Sequence, residues 1–113
     1  MIITQQQMSQ STKQMRGGDG VCHMLEFLSK EEMNHARLFG TITIPPNASI
    51  GEHPHIDETE YYWIIEGEGV LTESSGVHVV KKGDLVVTSS GESHAIRNEK
   101  NTPLVLLALI ILD

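Results

Sequence analysis

The chain has 113 residues, 39% of them hydrophobic and 20% charged, and its 8 basic and 15 acidic residues give a formal charge of -7. A chain of that length fits one domain, able to bury a core without disulfide staples. The acidic balance argues against nucleic acid as a partner, because phosphate binding draws on clustered Lys and Arg, and it would repel an anionic membrane surface.

Residues 1–16 read as a flexible N-terminal arm ahead of a domain at 17–113. Positions 4–14 are rich in Gln, Ser and Thr, with little to bury, and would order only on a partner. Residues 1–8 hold neither a basic leader nor a long apolar core, and the lone Cys22 cannot close an internal disulfide, so the expected compartment is the cytoplasm. After the turn cluster at 17–20, residues 21–28 read as a first strand. Ser29-Lys-Glu-Glu32 is a capping box, the one good helical start, and one or two turns at most should follow. Residues 37–44 are β-rich and stop at Pro45-Pro46, which cannot continue a ladder. Strands are then expected at 61–66, 69–73, 77–80, 85–88, 94–97 and 103–112, separated by glycine-bearing turns, a pattern of a closed barrel or sandwich.

The run at 104–112 is nine apolar residues without alternation, far short of the roughly 20 that a spanning helix needs. It reads as a strand buried on both faces. A second subunit is the simplest cover for its outer face, and the chain's own N-terminal strand is the other.

The chemistry concentrates in Gly51-Glu-His-Pro-His-Ile-Asp-Glu-Thr-Glu60. On a strand, residues i and i+2 share a side, so His53 and His55 present two imidazoles together while Pro54 turns away. That is half of a common metal site, although polar loops also hold such pairs. Glu60 lies where the strand pattern resumes and is the expected carboxylate ligand. Asp57 and Glu58 are expected in a solvated loop, with Glu58 the competitor that spacing leaves open. Downstream, His94 follows the turn of Gly83-Asp-Leu-Val-Val-Thr-Ser-Ser-Gly-Glu-Ser-His94.

These residues resemble the two motifs of a single-domain cupin. In the first motif a glycine, five residues, His-x-His, three or four residues, a glutamate, six residues and a glycine are matched by His53, His55, Glu60 and Gly67. Asn47 replaces the opening glycine, and Asn tolerates the left-handed backbone of such a turn. In the second, Gly83, Gly91, His94 and Asn98 match, and Ser89 stands in place of a proline. The resemblance implies an all-β jelly-roll barrel of two antiparallel sheets with at most one short helix, and commonly a homodimer. It also implies one divalent transition metal per subunit, held by His53, His55, Glu60 and His94. Three imidazoles and a carboxylate suit Mn, Fe, Ni or Co, with Zn also possible, and leave positions for a ligand.

By period two from Glu60, Tyr62 and Ile64 face the interior, so Tyr62 can offer its hydroxyl to a bound ligand, and Glu60 and Tyr62 are the expected catalytic residues. Ile96 and Asn98 should share a face with His94. His23, His35 and His78 read as ordinary surface or strand histidines, and Cys22 as a small buried residue. Two functions are open. One is a metal-dependent enzyme acting on a small organic acid or enol, of the dioxygenase, decarboxylase or isomerase class. The other is a module that binds a metal or small ligand without turnover. The two-domain oxalate decarboxylases fit poorly, because the chain has one domain and residues 49–52 lack the arginine that those enzymes place before the first histidine.

Overall fold

The computed structural model, which describes all 113 residues, folds into ten strands and two short 3-10 turns. The strands are β1 (Ser9–Lys13), β2 (Cys22–Glu26), β3 (Ala36–Ile44), β4 (Ser49–Pro54), β5 (Glu58–Glu66), β6 (Glu68–Glu73), β7 (Gly76–Lys81), β8 (Leu85–Thr88), β9 (Ser93–Arg97) and β10 (Leu104–Leu112). One sheet has the order β1-β2-β3-β10-β5-β8, the other β4-β9-β6-β7, and neighbouring strands are antiparallel in both. This is the all-β, two-sheet barrel expected from the sequence. The capping box closes a single 3-10 turn at Lys30–Glu32, where the Glu32 carboxylate accepts from the Ser29 N–H at 2.9 Å.

Alternation builds the core. Leu104, Leu106, Ala108 and Ile110 of β10 point inward with Ile42, Ile44, Tyr62 and Ile64, and meet Ile50, Leu71 and Ile96 from the opposite sheet. Each fully buried Ile or Leu contributes roughly 1.5–3 kcal/mol relative to exposure. Asn47 sits at φ 67° in the turn before β4, the left-handed backbone for which Asn is suited.

One irregularity aims the site. Along β4 and β9, Ile50 pairs with Ile96 and His53 with His94, so three steps on one strand meet two on the other. This bulge resets the parity, and both Ile50 and His53 face inward. Gly51 lies within it, and a Cβ there would collide with the carbonyl oxygen of Arg16.

Three expectations are revised. Within the segment read as an arm, Ser9–Lys13 pair with β2 as β1, all five residues exposed. β5 starts at Glu58, three residues ahead of the expected 61, because its pairing with β10 runs to Leu112. The outer side of β10 is only half buried in one chain: Val105, Leu107 and Leu109 are partly covered, and Ile111 and Leu112 are exposed. The N-terminal strand does not cover that face, because it extends the sheet edge instead.

Candidate metal centre

His53 on β4, His55 one residue past its end, Glu60 on β5 and His94 on β9 bring their ligand atoms within 4.8 Å of one another, all four side chains buried. The structure therefore gathers the four residues singled out in the sequence. The Nε2 atom of His94 is 3.0 Å from that of His53 and 3.2 Å from that of His55. Glu60 Oε1 is 2.9 Å from His55 Nε2, 3.0 Å from His94 Nε2 and 3.8 Å from His53 Nε2.

The protons on the outward nitrogens decide what this cluster can hold. His53 Nδ1 lies 2.7 Å from the carbonyl oxygen of Gly51, which can only accept, so Nδ1 carries the hydrogen. His55 Nδ1 meets the Glu58 carboxylate, again acceptor only. His94 Nδ1 lies 2.7 Å from the Thr88 hydroxyl. In the neutral rings of His53 and His55, Nε2 is then a bare lone pair aimed at its neighbours. Consistent with this, Glu60 Oε1 is buried with no aligned donor despite two nitrogens within 3.0 Å. Lone pairs so converged repel unless a cation sits among them, and the donor set fits a divalent transition metal.

Titration follows the same demand for positive charge. Burial alone would raise the Glu60 carboxyl, but imidazoles of His53, His55 and His94 that carry a proton donate to it, outweigh burial and hold it ionised, well below the usual carboxylate range. His55 is raised by its contact with Glu60, against the effect of burial, with Glu58 adding to the rise. Burial pushes the Tyr62 hydroxyl well above its ordinary value, the Glu60 charge adds, and the Arg16 charge opposes. Tyr62 therefore stays protonated, stacked on His94 with ring centres 4.9 Å apart and planes 13° apart.

Glu58 is neither the solvated loop residue nor the rival ligand that the sequence left open. It is buried and accepts from Arg37 twice, Nε to Oε1 at 2.7 Å and Nη2 to Oε2 at 2.6 Å, while orienting His55 from behind. Arg37 holds its carboxyl down at about 2, with His55 reinforcing. The period of two that carries Glu60 inward also carries Glu58, so parity was the available signal. Arg37 on β3 and Thr88, cross-strand partner of Glu60, come from distant segments and carry no local signature. Asp57 is exposed as expected, as are His23, His35 and His78.

A cavity of about 220 Å³ adjoins the cluster. His53, His55, Glu60 and Tyr62 line its inner end, with Met24, Leu38, Ile42 and Ile50 on its apolar wall. Lys13, Arg16, Arg37 and Glu26 add its charged side chains.

Comparison with known proteins agrees with this architecture. Residues 40–110 match the family model described as a cupin domain, and the chain belongs to the cupin family. An oxalate-binding protein of Thermotoga maritima is 50% identical over 99 residues, covering 87% of this chain and 82% of that one. A crystal structure of a predicted oxalate decarboxylase from Thermotoga maritima superposes with a TM-score of 0.93 at 43% identity, over 100% of both chains. A structure named as that of a putative sugar phosphate isomerase from Acidithiobacillus ferrooxidans shares the fold, with a TM-score of 0.81 at 23% identity over 97% of this chain and 74% of that one.

Proposed function

We propose that this cupin holds one divalent transition metal through His53, His55, Glu60 and His94 and takes a small carboxylate anion of the oxalate type in the adjoining cavity. The observation that carries the metal is the convergence of histidine lone pairs on a buried Glu60 oxygen that has no donor. The carboxylate is supported by the basic side chains lining the cavity and by the name of the Thermotoga maritima relative. When bound, a divalent ion supplies Lewis acidity toward a carboxylate oxygen. The chain's own part is to hold the ligand set rigid from behind through Gly51, Glu58 and Thr88, and to exclude water with the apolar wall. Tyr62 keeps a proton at its hydroxyl beside the site.

Turnover is the second reading, favoured by that Tyr62 proton: a buried, protonated phenol in the cavity wall can donate to a developing charge, and Glu60 can exchange between ligand and proton acceptor. Elemental analysis of chelator-free protein, followed by oxalate titration with assays for formate and carbon dioxide, separates the readings. About one metal per chain with saturable binding supports the proposal, and product formation adds catalysis. Metal content unchanged in His94→Ala would sink the ligand assignment.

The reading extends to a homodimer. Leu107, Trp63 and Leu85 are cross-strand neighbours on the outer face of the six-stranded sheet, next to Val87, and Trp63, Leu85 and Val87 are 45%, 56% and 46% exposed. A second copy seated on this apolar row would cover it and the outer side of β10. Sedimentation should show a dimer that Trp63→Glu dissociates, and a wild-type monomer at high concentration would remove the dimer from the proposal.

A further inference from the structure

The segment at 14–21, which joins β1 to β2 and packs as a strap against β4, brings basic side chains to a cavity in an acidic molecule. Three of the chain's 8 basic residues, Lys13, Arg16 and Arg37, line it against only two of the 15 acids, Glu26 and Glu60. Arg37 is committed to Glu58, whereas Lys13 and Arg16 enter no ion pair. The unpaired positive charges of the cavity are therefore Lys13 at the end of β1 and Arg16 on the strap, and they offset Glu26 and Glu60 on its other walls.

The strap is fixed beside the ligand-bearing strand. Met15 bridges Ile50, its carbonyl oxygen accepts from Gly51 N–H at 3.1 Å and Gly18 N–H at 3.0 Å, and Asp19 is tied to Ser49. The Arg16 carbonyl packs so closely on Gly51 that a Cβ there would strike it. Arg16 itself sits at φ 55°, in the left-handed region that suits glycine or asparagine. A non-glycine residue there is strained, and strain of this kind is tolerated where the side chain is needed. At Arg16 the side chain lines a cavity that ends at the histidine cluster.

We infer that Arg16, assisted by Lys13, reads the second carboxylate of a small dicarboxylate whose first carboxylate lies at the His53, His55, Glu60 and His94 end. The inference rests on the carboxylate reading above and adds the residue that sets dianion over monoanion preference. A guanidinium matches a carboxylate in two parallel hydrogen bonds, and in a half-enclosed site such a pair is selective for the extra charge.

The left-handed backbone provides a clean test. Arg16→Gly and Arg16→Asn both suit φ 55° and remove the charge, so neither should lower the melting temperature or the metal content of manganese-loaded protein. Calorimetric titration with oxalate should show an affinity loss on the order of tenfold to a hundredfold in both, with acetate binding changed far less. Wild-type affinity for oxalate in either variant overturns the inference while leaving the carboxylate reading intact. Wild-type protein that holds manganese but binds neither oxalate nor acetate overturns both. A loss of oxalate binding that only follows lost metal or a lowered melting temperature assigns Arg16 a structural role and overturns the inference as well.

Discussion

Two buried polar residues, Asn98 and Glu60, show the difference between a group that holds the fold and one that awaits a ligand. Asn98 is fully buried, and its amide donates to the carbonyl oxygens of Ile44 and Thr102 at 2.9 Å while its oxygen accepts from Lys100 N–H at 2.9 Å. Glu60 is 3% exposed, yet Oε1 has no donor and faces histidine nitrogens at 2.9 and 3.0 Å. Burial alone does not separate them, because native cores contain polar groups of both kinds; satisfaction does.

Removing each residue tests that distinction. Glu60→Gln keeps the volume and discards the charge, so metal affinity should fall on the order of a thousandfold, about 4 kcal/mol, beyond the loss typical of an outer partner. Metal-free protein should lose less unfolding free energy than Asn98→Ala loses, because the Gln amide can donate to the histidine lone pairs that the carboxylate leaves unsatisfied. Asn98→Ala should do the reverse. Unfolding free energy in urea should drop by about 3–4 kcal/mol as three backbone groups lose their partner. Metal bound per folded molecule should stay constant. If Glu60→Gln destabilised the metal-free protein as much as Asn98→Ala, Glu60 would be a structural residue and the contrast would fail.

Both residues stood out in the sequence, for different reasons. Strand parity made Glu60 a candidate together with Glu58, and the match to the cupin motif singled it out; Asn98 matches the second motif and shares a face with His94. The all-β fold was legible from short β-rich runs and glycine turns, since alternation and turn chemistry act within a few residues. What sequence could not show is held across strands. The bulge at Gly51 is visible only in the offset pairing of β4 with β9, and Arg37 reaches Glu58 only because β10 holds β3 and β5 on either side of it. Strand β1 lacks apolar residues because it adds to an edge by backbone pairing alone, so nothing in its composition distinguishes it from a free arm.

Glu58 stands between the two cases, satisfied like Asn98 but turned toward the site. Its folded pKa of about 2 lies below the ordinary value of 4.5. A depressed carboxyl contributes stability that is complete above about 4.5 and is lost as pH falls toward 2. Metal-free protein should therefore lose about 2–3 kcal/mol of unfolding free energy across that window. His55 is charged in both folded and unfolded states throughout it, but Glu60, also held below the usual range, adds a loss of the same sign, so the Glu58 share is read as the difference between wild type and Glu58→Gln. A flat stability profile from pH 5 to pH 2.5 would show that the Arg37–Glu58 pair contributes nothing to the fold.

The Arg37–Glu58 pair is satisfied in itself yet backs the unsatisfied centre through His55. Arg37→Met keeps the aliphatic length that packs along the cavity and removes both hydrogen bonds to Glu58. Glu58 stays ionised near neutral pH but loses the two hydrogen bonds that fix its position, so its grip on His55 Nδ1 weakens. The His55 ring is freed to turn or to change tautomer, and one of the convergent lone pairs leaves the cluster for part of the time. Metal affinity should fall tenfold to a hundredfold, the range of an outer-partner loss. The acid destabilisation between pH 4.5 and 2 should shrink in the same variant, because one ion pair underlies both. Loss of the acid transition with metal affinity intact would separate the pair from the centre and make Glu58 a second Asn98.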